Sequence, residues 1–220
     1  MDVKFFESGN IEFKDNITIF SVGKKDWSAS GKVLLQQNPW LKVWRGDGRL
    51  SSELGSTLVY PCPGPERKQW VFVGVGDQEK LTAIEFVKIV RSAFAVIQGS
   101  WHKIAVHLNE IEVEDRDHSW KLQQIAQEAG DRAYSYNQFK EEKKPFECKT
   151  LLLPSGSNVE EDRRVINKAQ AITKGMAFMR DFANMPANHC FPETLAQAAQ
   201  TLAKSARKLL STTVLEERHM

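Results

Sequence analysis

The order of strand and helix signals predicts an α/β domain in which helices cover a sheet of about five strands. Three observations carry that reading. Five short runs are rich in β-branched and aromatic residues, and amphipathic stretches at helical spacing stand between the later ones. Capping residues, glycines and prolines punctuate the joins.

The first strand is "NITIFSV" (16–22), apolar on both faces and therefore expected to be buried on both. "STLVYP" (56–61) and "QWVFVGVG" (69–76) are two more, joined through Pro-Cys-Pro-Gly-Pro (61–65), because prolines cannot donate to a ladder. "KIAVHL" (103–108) and "CKTLLLP" (148–154) complete the set. Trp27, Trp40 and Trp44 lack interleaved basic side chains and are expected to pack against the sheet rather than to stack bases.

After Gly76 comes the best-marked helix. Thr82 and Glu85 have capping-box spacing, and Leu81 and Phe86 stand where a hydrophobic staple would. Phe86, Val90, Ala93, Phe94 and Ile97 form its stripe, and Gly99 is expected to end it. A second helix starts near Ser119, with Leu122, Ile125, Ala126 and Ala129 inward and Gly130 near its end. The polar stretch 131–147 reads as a loop. A third helix over 160–183 is expected to bury Val165, Ala169, Ile172, Met176 and Met179. The fourth starts at Pro192, whose missing N–H costs nothing in a first turn, and carries Leu195, Ala199, Leu202, Ala206 and Leu209.

Composition narrows the function classes. With 41% hydrophobic and 26% charged residues, the 220-residue chain has the make-up of a globular protein with a sizeable core. Lys+Arg number 30 against Asp+Glu 28, too balanced for a nucleic-acid binder, and Lys143-Lys144 and Arg163-Arg164 are flanked by acids. No run approaches the ~18 apolar residues of a membrane helix. Met1-Asp2-Val3-Lys4 has no leader pattern, and Cys62, Cys148 and Cys190 read as free thiols, so a cytoplasmic setting is expected.

Chemistry-bearing motifs are sparse. Gly74 and Gly76 lie between a strand and a capped helix, where a phosphate cradle would sit, but Glu79 stands where a third glycine is needed. A tight strand-to-helix turn is the favoured reading. His102, His107, His118, His189 and His219 offer no pair at zinc-ligand spacing, and His102 and His107 are expected on opposite faces. No Gly-x-Ser-x-Gly elbow occurs. The residues alone thus identify no catalytic or metal-binding group.

The most specified segment is Arg180-Asp181-Phe182-Ala183-Asn184-Met185-Pro186-Ala187-Asn188-His189-Cys190-Phe191-Pro192, followed by an alanine-rich helix. It resembles the Asn-x-Pro-Ala-Asn junction of the leucyl (cytosol) aminopeptidase family, peptidase B-like enzymes included. His189-Cys190-Phe191 departs from the usual Leu-Thr before the second proline. "VFVGVGDQEKLTAIEFVKIVRSAF", "QEAGDRAYSYNQFK" (127–140, with Ala129 intervening before Gly130) and "KTLLLP" are similar to family segments in the same order.

The resemblance implies a macro-like N-terminal domain with a mixed sheet over 1–158 and a linker helix over 159–183. It implies a junction and the start of a catalytic domain over 184–220, with Asn184, Pro186, Ala187, Asn188 and Pro192 setting the angle between two rigid bodies. It further implies a parent enzyme with two divalent metals, zinc or manganese, that removes N-terminal residues from peptides as a homohexamer. The family's metal ligands, a lysine, three aspartates and a glutamate in an Asn-Thr-Asp-Ala-Glu-Gly-Arg-Leu context, match nothing here. "GDGRL" (46–50) lacks Asn-Thr and the glutamate, so the chain reads as a non-catalytic N-terminal region. The alternative is a free-standing macro-like module for ADP-ribose or a related nucleotide.

Overall fold

A computed structural model describes residues 1–7, 16–24, 27–64, 68–76, 81–141, 147–206 and 209–216. Glu79, the Lys143-Lys144 cluster and His219 lie outside them. Two compact units are present, 1–175 and 176–220, and the boundary falls within one long helix.

The first unit is built on a six-stranded mixed sheet. Its strands are β1 (Asp2–Phe6), β2 (Asn16–Val22), β3 (Thr57–Pro61), β4 (Gln69–Gly74), β5 (Ser100–Val106) and β6 (Glu147–Pro154). They lie in the order β1-β6-β5-β2-β4-β3, all neighbours parallel except the β3/β4 hairpin. The α/β class and the mixed sheet expected from sequence are both present.

β2 explains the layering. Ile17 and Ile19 enter one apolar cluster, while Phe20 and Val22 enter another, as the two-residue period of a strand requires. The first cluster is closed by α3 (Ala83–Ala95), α4 (His118–Ala133) and the beginning of α5 (Val159–Asn184), through Phe86, Val90, Ile125, Ile166 and Ala169. The second is closed by α1 (Ala29–Gln37) and α2 (Trp40–Gly46), through Leu34 and Leu41. Trp40 and Trp44 each lie 5.3 Å from Tyr60, and Trp40 stacks on Trp70 at 6.3 Å, so the tryptophans do dock on the sheet.

Several elements differ from expectation. β1 has no counterpart in the sequence reading; it is five residues long and gains its stability from pairing with β6 at the far end of the domain. α1 and α2 also escaped it. α1 is short and Lys/Gln-rich, and Ser28 caps it by accepting from the Gly31 N–H at 3.3 Å. α3 has its capping box, with the Thr82 N–H donating to Glu85 at 2.9 Å, but it stops at Ala95. Gly99, at φ +75°, belongs to the turn into β5 instead. α4 starts at His118 under an Asp117 cap, and its last turn extends to Ala133, inside the stretch read as a loop.

In α5 the buried residues are Asp162, Ile166 and Ala169; Val165 is half-buried. Ile172, Met176 and Met179 are exposed, 38%, 40% and 71%, which corrects the expected inward stripe. The apolar pattern is real, but within the first unit only Asp162, Ile166 and Ala169 of this helix are buried.

Gly130 of α4 lets α5 approach: a Cβ there would overlap the Thr173 methyl. Gly130→Ala adds helix propensity of about 1 kcal/mol, yet is expected to destabilise the domain by about 1–3 kcal/mol through overpacking. Thr173→Ser removes the methyl and should recover most of that loss in a double-mutant cycle followed by urea unfolding. Additive effects of the two substitutions would refute the contact.

Candidate functional site

The glycine turn is held by backbone. Gly74 N–H donates to Ser56 O at 2.8 Å, Val75 N–H to Val22 O at 3.1 Å and Gly76 N–H to Ser52 O at 2.7 Å. Gly55 N–H in turn donates to Gly74 O at 2.8 Å. A side chain at 74 would collide with the Glu53 carbonyl and the Ser56 hydroxyl, and Gly76 sits at φ +82°. Close approach of the 51–56 segment and a left-handed backbone account for both glycines. No amide of 74–76 points outward unengaged.

A different polar group gathers at the carboxyl ends of β2 and β5. The chain leaves these neighbouring strands toward opposite faces, into α1 and into α4, which is the topological switch point of the sheet. Ser30, in the first turn of α1, donates its N–H to Glu110 Oε2 at 2.9 Å and its hydroxyl to Oε1 at 2.5 Å. Glu110 ends a 3-10 turn, Leu108–Glu110. His107, immediately before it, is fully buried, stacked on Phe20 at 5.1 Å and edge-on to Phe6 at 5.3 Å. Its Nδ1 is 3.5 Å from Glu110 Oε1, and neither ring nitrogen has a hydrogen-bond partner. Asn109 donates Nδ2 to Pro154 O at 3.0 Å, while its Oδ1 is buried and unpartnered. Sequence reasoning missed this group because Ser30 and Glu110 are 80 residues apart. His102 is exposed.

His118, at the start of α4, has Nε2 3.4 Å from Asp162 of α5, whose other oxygen accepts from the Gly156 N–H at 2.8 Å. The clasp fixes the entry of both helices. Burial pushes the thiols of Cys62 and Cys148 up to about 11, so neither is an activated nucleophile. Burial also lowers the Lys121 ammonium below its ordinary value, with Glu112 and Asp117 opposing; its Nζ donates to Ile111 O at 2.9 Å. Among the described residues no three His, Cys, Asp or Glu side chains are placed to share a metal ion. A groove of 860 Å³ between β1 and α5 is walled by Lys4, Phe6, Arg163, Asn167 and Gln170, and shares Phe6 with the His107 group.

The elbow lies in the second unit. Asn184 ends α5, and Met185 N–H donates to Phe182 O at 3.2 Å. Pro186 opens a turn over 187–189, closed by His189 and Cys190 N–H on its carbonyl at 2.9 and 3.0 Å. α6 (Pro192–Ser205) follows with proline in its first turn; Phe191 occupies the cap position and supplies no side-chain hydrogen bond. Neither asparagine therefore caps α6, although Thr194 donates its hydroxyl to His189 O at 3.0 Å. Asn184, Pro186, Ala187, Asn188 and Pro192 are all exposed. So are Leu195, Leu202 and Leu209, at 48%, 45% and 88%; Leu209 lies beyond the helix end. No described helix is long and apolar enough to cross a membrane.

Comparison with known proteins gives this architecture a context. The probable cytosol aminopeptidase of Azotobacter vinelandii is 33% identical over 180 residues, 80% of this chain and 36% of that protein. The corresponding protein of Pseudomonas fluorescens strain Pf0-1 is 35% identical over 178 residues, 79% and 35% of the two chains. The chain thus spans about a third of the length of these relatives. A tomato leucine aminopeptidase variant superposes with a TM-score of 0.77 at 19% identity, over 99% of this chain and 44% of that one. The bottromycin maturation enzyme BotP in complex with Mn gives 0.64 at 16%, over 88% and 37%. At such identities the two structures speak for the fold. The model of the cytosol aminopeptidase family, N-terminal domain, matches residues 29–143, from α1 to just past α4. The collinear motifs, the mixed sheet and this match agree, and the chain belongs to the cytosol aminopeptidase family through its N-terminal domain.

Proposed function

We propose that this chain is the non-catalytic N-terminal region of a dinuclear metal-dependent leucyl aminopeptidase, a hydrolase that removes N-terminal residues from peptides in the cytoplasm. The family match over residues 29–143 carries the reading. The organisation we propose is a macro-like domain over 1–158, a linker helix over 159–183 and a junction over 184–220. In the whole enzyme, two zinc or manganese ions would activate a water and stabilise the charge it creates at the peptide carbonyl. The residues described here would contribute none of the ligands. Their task would be to frame a hexamer and to restrict which peptides reach the centre.

The surface of the second unit supports that role. Leu195 and Leu202 are exposed on one side of α6, and Met176, Phe178 and Met179 are exposed on α5. Each large apolar side chain left in water forgoes roughly 1.5–3 kcal/mol of burial. A patch of this kind marks an interaction surface, and a catalytic domain of the same enzyme is the partner of matching chemistry. Pro186 and Pro192 would set the angle at which that domain is presented, each fixing one φ. The near-zero charge balance favours peptide and protein partners over nucleic acid.

Three outcomes follow. The 220-residue chain should show no turnover of leucine-linked chromogenic substrates with added manganese or zinc. Metal-dependent activity that co-elutes with the pure protein in gel filtration would sink the non-catalytic assignment.

ADP-ribose should bind no more tightly than roughly millimolar, about −4 kcal/mol, since the amides of Gly74 and Gly76 are engaged by Ser56 and Ser52. Calorimetry giving a stoichiometric micromolar site that disappears in Gly76→Val would establish the free-standing nucleotide module instead.

Limited proteolysis should cut first at or after the elbow and leave a stable core of about 160–185 residues, because exposed, weakly packed segments are cleaved preferentially. Protease resistance of 184–216 in a dilute, demonstrably monomeric sample would contradict an interface role for α6.

A further inference from the structure

We propose that the crevice at the carboxyl ends of β2 and β5 is a carboxylate-binding site that the chain fills with its own Glu110. A small carboxylate such as formate should take the same place once that side chain is removed. This goes beyond the aminopeptidase reading and is independent of it.

α1 is a nine-residue helix whose first-turn N–H groups have no partner within the helix. Such a terminus carries partial positive charge and attracts anions. Here the anion is the Glu110 side chain, which is only 8% exposed. Its two oxygens face two different donors of one residue, the Ser30 N–H at 2.9 Å and the Ser30 hydroxyl at 2.5 Å. That paired arrangement suits a planar two-oxygen group. Ser30 itself is fully buried, so both donors are withdrawn from water.

His107 supplies the second, separate observation. The imidazole is fully buried, clamped between Phe20 and Phe6, with neither nitrogen hydrogen-bonded. Its Nδ1 is 3.5 Å from Glu110 Oε1. An unpartnered buried ring nitrogen is costly unless something polar comes to it. A tether between α1 and the β5–α4 connection would need only the Ser30 contacts; it would not need a histidine beside the same oxygen. Switch-point crevices are where open α/β sheets hold ligands. In this chain the crevice is occupied from within.

The test uses the 220-residue chain with Glu110→Ala and Glu110→Gln. In chloride, Glu110→Ala should unfold at a lower temperature than the parent chain. Formate at matched ionic strength should raise its Tm along a saturating curve, whereas the parent and Glu110→Gln, in which the place is filled, should show no formate-specific rise. Line broadening of ¹³C-formate by Glu110→Ala, abolished on adding His107→Ala, would locate the anion. The proposal is overturned if formate and chloride act alike on Glu110→Ala, or if phosphate matches formate. It also falls if the parent chain responds equally. Should Glu110→Ala fail to fold in chloride, recovery of folded protein in formate supports the site, and failure in both salts counts against it.

Discussion

The rest of the domain follows from the burial of β2 on both faces. Ile17 and Ile19 look one way and Phe20 and Val22 the other, all without solvent exposure. A strand of that kind must have strands on both edges and helices on both faces. The chain meets the first demand with β4 and β5, both parallel to it, and the second with α1 and α2 below and α3 and α4 above. Parallel neighbours need crossover connections, so the helices arrive as part of the same solution. The switch point then arises where the two crossovers part, and the buried Ser30–Glu110 pair bridges them across it.

Legibility in the sequence tracked the range of the forces involved. β2 was visible with its boundaries because its apolar run is uninterrupted, and α3 because its cap, staple and stripe are all local. β1 depends on a partner at the other end of the domain, and α1 has too little apolar contrast to stand out. The α5 stripe was legible as a pattern, yet Met176 and Met179 are exposed, because periodicity records that a face is apolar and not what covers it. Candidate sites behaved likewise. The Asn184–Pro192 elbow was legible as a local motif, whereas the Ser30–His107–Glu110 group exists only through folding.

Family membership and the chain's own chemistry divide the molecule sensibly. The matched segment, 29–143, contains the aromatic face of α2, β3 and β4, the engaged glycine turn and the α3/α4 pair. Between these helices Arg91 makes a two-pronged contact with Glu128 at 2.7 and 3.1 Å, and the carboxylate raises the guanidinium above its ordinary value. Arg132 reaches from α4 to the carbonyls of Phe94 and Ile97, satisfying the end of α3. These are features of a rigid body. Exposed large apolar side chains outside the matched segment include Ile172, Met176 and Met179 of α5, Leu195 and Leu202 of α6, and Leu209, Leu210 and Leu215 beyond it.

The pairing of β1 with β6 has a consequence for biosynthesis. Ser155 donates its N–H to Phe6 O across 149 residues, so this edge of the sheet closes only after β6 has been made. At translation rates of about 5–20 residues per second, β1 waits on the order of 10–30 s for its partner to leave the ribosome. During that interval Val3, Phe5 and Phe6 have no sheet to join, while β2, β4 and α3 can already assemble. Closure of such a distant contact bears a large loop entropy and comes late in folding. Chaperone access to the nascent chain should therefore centre on β1, long after the middle of the domain has become compact.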